Sequence, residues 1–124
     1  RIEDVAPYFA EARIGIMPDQ VGGGFKHKNL QYIFNRVPLA IMAGQTMGLP
    51  LVAGEDMVVA DTYADLTRRI VGLIDDFDRL NAMQDAAFTK CADRFDWAGR
   101  GRQFRDELAR TIEATASSRR TTAA

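Results

Sequence analysis

A chain of 124 residues has room for one domain whose core folds without staples, and 47% apolar with 27% charged residues is a globular composition. The net charge of −1 removes any global electrostatic case for nucleic acid or for a membrane surface. A single cysteine, Cys91, excludes an internal disulfide and fits a reducing compartment. No apolar run reaches bilayer-spanning length and no signal-peptide pattern is visible, so a cytoplasmic location is expected.

From the N-terminus, Glu3 to Ala12 places Val5, Tyr8, Phe9 and Ala12 at helical spacing, with Pro7 tolerable only near the first turn. The chain opens at Arg1 in the approach to this helix with no strand before it, as a piece of a longer protein would. Arg13-Ile14-Gly15-Ile16-Met17 is a short apolar run stopped by Pro18, which predicts a buried strand.

Next comes the glycine-rich stretch Val21-Gly22-Gly23-Gly24-Phe25-Lys26-His27-Lys28, leading directly into a helical pattern. Glycine lets a backbone approach a ligand closely, and a helix start offers unpaired N–H groups with a partial positive charge. Lys26 and Lys28 add two full charges at the same place, so the stretch describes an anion site suited to phosphate or diphosphate. In the helix, Leu30, Ile33, Phe34 and Val37 form the core-facing stripe, while Lys28, Gln31 and Asn35 share another face. A lysine for phosphate and an amide for a sugar hydroxyl, one turn apart, suit a nucleotide lying along the helix. A solvated glycine turn with exposed lysines fits the same residues.

Beyond Pro38, Leu39-Ala40-Ile41-Met42-Ala43 is a second buried strand, and residues 48–54 and 56–60 read as two very short ones. Asp61 or Thr62 can cap a helix with Leu66, Ile70, Leu73 and Ile74 inward. A further helix from Asp76 to about Arg94 turns Phe77, Leu80, Met83, Ala87 and Cys91 inward, with Cys91 as a small buried hydrophobe. Asp75, Asp76 and Asp78 read as turn and capping residues. Asp96 caps a last helix carrying Trp97, Phe104, Leu108 and Ile112 on one side, with Trp97 expected in the core, and Arg100, Arg102, Arg105 and Arg110 mostly elsewhere. The small polar stretch of residues 116–124 is expected to be a disordered tail.

Strands alternating with helices predict an α/β fold, a Rossmann-like parallel sheet with flanking helices. Ligands of such folds sit at the carboxyl ends of strands, where the glycine loop falls. His27 is the sole histidine, so a multi-histidine metal site within the chain is excluded.

The series Ile14-Gly15-Ile16-Met17-Pro18, glycine loop, Lys28-x-x-Gln31 and Pro38-Leu39-Ala40 resembles the nucleotide-sugar-binding, C-terminal domain of GT-B glycosyltransferases. The downstream helices and the Phe95-Asp96-Trp97 signature extend the likeness from Arg1 to about Ile112. Lys28-x-x-Gln31-Tyr32 is closest to the xanthan-type glucuronosyltransferase branch, where the lysine contacts the diphosphate and the glutamine the nucleoside. The family's usual ribose-binding acid falls at Gln31, and the other acid of its Glu-x7-Glu pair falls at Gly23.

The resemblance implies that residues 1–115 form a donor-binding domain lacking its first strands, with Gly22, Gly23, Gly24, Phe25, Lys26, His27, Lys28 and Gln31 as donor-site residues. It implies sugar transfer from a nucleotide diphosphate sugar without an obligatory metal or other cofactor, toward a glycan, lipid-linked or other acceptor, as in polysaccharide biosynthesis. The catalytic base and acceptor site would come from a missing N-terminal Rossmann-like domain of the same protein, leaving this chain alone inactive. Any membrane contact would be peripheral, at the inner face, and made through the missing part. Nucleic acid is not an expected partner. A non-catalytic phosphate- or nucleotide-binding module, and a helical domain docking a protein through its arginines, remain alternative readings.

Overall fold

The structure, a computed structural model, describes residues 4–122, with side chains as far as Ser117. Two compact units are present, one ending at Arg94 and one beginning at Phe95. The first contains α1 (Ala6–Glu11), β1 (Gly15–Met17), α2 (His27–Phe34), β2 (Leu39–Met42), a 3-10 turn (Ala43–Gln45), β3 (Val58–Ala60), α3 (Tyr63–Leu73) and α4 (Phe77–Arg94). The second holds the long helix α5 (Trp97–Thr122).

The sheet is open, three-stranded and parallel in the order β1-β2-β3, with Ile16 opposite Ala40 and Ile41 opposite Val59. Flanked by helices, it is an α/β arrangement compatible with the Rossmann-like expectation. All four residues of β2 are buried, as a central parallel strand covered on both faces requires. Side chains alternate across a strand, so Ala40 and Met42 point one way and Leu39 and Ile41 the other. Ala40 and Met42 join Val58, Ala60, Leu66, Leu73, Leu80 and Met83 in one cluster, which ties α3 and α4 to the sheet. Leu39 and Ile41 are equally buried on the opposite face.

Local chemistry accounts for the element boundaries. The Thr62 hydroxyl accepts the Asp65 N–H at 3.2 Å and caps α3. Asp76 accepts the Arg79 N–H at the start of α4, and Asp96 accepts the Gly99 N–H at the start of α5. Helix α2 stops at Phe34, short of Pro38, because the Asn35 side chain donates back to the Gln31 carbonyl and Arg36 takes a left-handed φ of 60°.

Three expectations need correction. No strand forms over residues 48–54: the segment is turn, tied to the approach of β3 by one bridge between Ala53 and Met57. There the Asp56 carboxylate takes the Val52 N–H, so a side chain holds what a ladder would have held. Phe34 and Phe77 stand 39% and 53% exposed rather than in the core. Phe34 meets Phe88 edge-on at 6.0 Å, and Phe77 lies beneath the Arg13 guanidinium, so both cover the surface of the unit. Trp97 is 66% exposed and not a core residue, and Phe104, Leu108 and Ile112 share its exposure along α5. Helix α5 runs on to Thr122, and Ala123 and Ala124 lie outside the described residues.

Candidate functional site

The glycine loop leaves the carboxyl end of β1 and enters α2, at the edge of the sheet where parallel α/β folds bind ligands. Gly22 and Gly24 have φ values of 112° and 87°, a region that side chains strongly disfavour. Their turns carry Gly22, Gly23 and Gly24 over the surface as an exposed ribbon. Among the described residues no hydrogen bond engages the amides of Gly23, Gly24, Lys26, His27 or Lys28. Within the first turn the Asn29 N–H returns to the Lys26 carbonyl at 3.0 Å.

The start of α2 is chemically unusual. Lys26 occupies the N-cap position, no side chain caps the helix, and no acid stands in its first turn. Most helices place Ser, Thr, Asp or Asn there, because the terminal amides and the helix dipole attract negative charge. Here Lys26 and Lys28 concentrate positive charge instead, with His27 between them. The Lys26 ammonium folds back over the loop, 3.0 Å from where a Cβ on Gly22 would sit. None of the described acidic residues lies within ion-pair distance of Lys26 or Lys28. Lys28 and Gln31 are both exposed, one turn apart on the outer face of α2. Phe25 meets His27 edge-on at 5.4 Å, and its ring fills the space a Cβ on Gly48 would need. Phe25 is thereby half-buried as an anchor, and His27 remains at the surface.

The fold therefore brings Gly22, Gly23, Gly24, Lys26, His27, Lys28 and Gln31 together on one exposed corner, with Phe25 tying that corner down. Two clefts of the first unit lie elsewhere. One, of about 340 Å³, is lined by Arg69, Gly72, Asp76 and Arg79 among others. The other, of about 480 Å³, runs beside β1 and is lined by Tyr8, Phe9, Ile16 and Tyr32 among others.

Two residues beneath the loop escaped sequence reasoning. Asn29 is fully buried, and its Nδ2 donates to the Gln45 carbonyl at 3.2 Å. Gln45 is 1% exposed, and its Nε2 reaches the Gly22 carbonyl at 3.5 Å. Asn29 shares the buried face of α2 with Ile33, one turn on, and that spacing was the signal available. Gln45 comes after a strand and a glycine and carries no periodic signal.

Among the described residues no cluster of His, Cys, Asp and Glu could hold a metal ion, and no helix is long and apolar enough to cross a membrane. No family model, curated protein or solved structure matches the chain.

Proposed function

We propose that this chain is the donor-binding portion of a GT-B glycosyltransferase, and that the corner built by Gly22 to Lys28 and Gln31 holds the diphosphate and nucleoside of a nucleotide sugar. The carrying observation is the start of α2, where, among the described residues, amides stand open, two lysines have no acidic partner, and neither cap nor acid occupies the place helices normally give one. Such a terminus is locally unfavourable until an anion arrives, and a diphosphate satisfies amides, dipole and ammonium groups together. The same donors would stabilise the diphosphate as it leaves the sugar, so the reading requires no metal. Lys28 would contact the diphosphate and Gln31, as a neutral donor and acceptor, the nucleoside. The base and the acceptor site belong, in this reading, to an N-terminal Rossmann-like domain of a cytoplasmic protein, so this chain binds donor without turning it over.

Titration calorimetry with UDP tests this directly. Lys28→Ala and Lys26→Ala should each weaken binding about tenfold, the equivalent of about 1.4 kcal/mol. Unchanged binding in a variant removes that lysine from the site, and no binding to the wild type removes the donor reading. The second reading, a non-catalytic phosphate or nucleotide module, is favoured by the absence of an acid at Gly23 and at Gln31. It predicts that UDP binds while UDP-sugars gain nothing over UDP.

A further inference from the structure

The glycine loop does not hold its own shape. Its three exposed glycines contribute no packing side chain, and a backbone so free loses its bound geometry unless something fixes it. That support comes from the turn after β2. A Cβ on Gly44 would stand 4.0 Å from the Gln20 carbonyl oxygen, Gln45 Nε2 reaches the Gly22 carbonyl, and the Phe25 ring packs onto Gly48. Residues 43–48 thus form a seat along which the loop lies from Gln20 to Phe25.

Within this seat Gln45 and Asn29 are in unfavourable surroundings. Both side chains are buried, each uses its amide nitrogen on a main-chain carbonyl, and Gln45 Oε1 and Asn29 Oδ1 accept no hydrogen bond among the described residues. A buried acceptor without a donor costs about 1–3 kcal/mol, so a leucine or methionine of similar size would serve the fold as well or better. The two amides instead run in series, from Asn29 in α2 to the Gln45 carbonyl and from Gln45 to the Gly22 carbonyl. The Gly22 carbonyl and the Gly23 N–H belong to one trans peptide and point in opposite directions, so a carbonyl held inward turns that N–H outward. We infer that Gln45, with Asn29 behind it, is a positioning residue that fixes the anion-facing geometry of the glycine loop at a cost in stability. Its consequence for binding rests on the diphosphate reading above; its consequence for loop order does not.

Glycine-selective isotope labelling with heteronuclear NOE measurements on the whole chain, combined with thermal melts and UDP calorimetry, tests the inference. In Gln45→Leu the NOE values of Gly22, Gly23 and Gly24 should fall while those of Gly48 and Gly54 stay put. The melting temperature should be unchanged or higher, and UDP affinity about tenfold weaker. A residue that only supported the core would give a lower melting temperature and an unmoved loop. Gln45→Met, unbranched and without an amide, should repeat the pattern. In the wild type the Gln45 side-chain amide protons should exchange at least tenfold more slowly than those of the exposed Gln103, a readout that needs no variant. Equal exchange, or loop NOE values as high in both variants as in the wild type, overturns the inference. Reduced loop order in the variants of a chain that does not bind UDP would uphold it and sink the donor reading alone.

Discussion

At Asp56 one carboxylate oxygen, Oδ2, accepts the Val52 N–H at 2.8 Å and the Lys90 ammonium at 2.6 Å, with the Asp56 side chain only 3% exposed. The pair joins the turn before β3 to the far end of α4. Lys90 is 40% exposed and regains water if its partner is lost, which lowers the cost of breaking the pair. Asp56→Ala should destabilise the first unit by about 2–3 kcal/mol, at the low end for a broken buried pair, as read from urea unfolding. Cys91 lies nearby and is fully buried; burial first, and the Asp56 charge second, push its thiol up to about 11 from an ordinary value near 9. The raised value means that the folded chain keeps its thiol proton where the unfolded chain has lost it. Stability is therefore whole below about pH 9 and is lost as pH rises from there toward 11. Cys91→Ala should flatten that alkaline decline. In the native protein a thiol reagent should label Cys91 only at the rate of unfolding.

Among elements, α2 and α3 begin in opposite ways. Helix α3 has a Thr62 cap and Asp65 in its first turn, and Asp65 is bonded by both Arg68 and Arg69. The Arg69 hydrogen bond first, and the charges of both arginines with it, hold the Asp65 carboxyl below its usual range against the opposing effect of desolvation. That contribution is present above the ordinary carboxylate range and is lost as pH falls below it. Thr62→Ala should cost about 1 kcal/mol of stability in thermal or urea unfolding. Helix α2 has neither device. Lys26→Ser, which supplies the missing cap and removes a positive charge, should raise stability by about 1 kcal/mol while weakening UDP binding. A fall in stability, or a gain in affinity, would show that the bare start of α2 is not kept for an anion.

For the molecule as a whole, the proposed donor binding would be coupled to stability by mass action. Anion binding to the native state alone raises stability with concentration, by about 2.7 kcal/mol when UDP stands at a hundredfold excess over its dissociation constant. The rise should shrink as ionic strength increases, because salt screens the exposed Lys28 strongly and the half-buried Lys26 in part. A denaturation series with and without UDP at two salt concentrations reads both effects. A shift that ignores salt would mean that the ligand is held by something other than these charges.

Local pattern in the chain already placed β1 and β2, Leu66 and Leu73 of α3 and Leu80, Met83, Ala87 and Cys91 of α4 inward, caps at Asp76 and Asp96 and at either Asp61 or Thr62, and the glycine loop at a strand's carboxyl end. These are local matters: a stripe at helical spacing, an apolar run between turn residues, or a hydroxyl before a helix acts within one or two turns of itself. The tertiary structure alone decided what depends on distant partners. Asp56 needs Lys90, 34 residues on, and Gln45 needs Gly22, 23 residues back, so neither role can be seen in a window of sequence. Phe34, Phe77 and Trp97 have the apolar character of core residues, yet whether a stripe's margin is covered depends on which neighbour arrives there. The sequence named the residues that could face an anion. Only folding could supply the buried amides beneath them, because a glycine loop carries no side chain with which to declare what holds it.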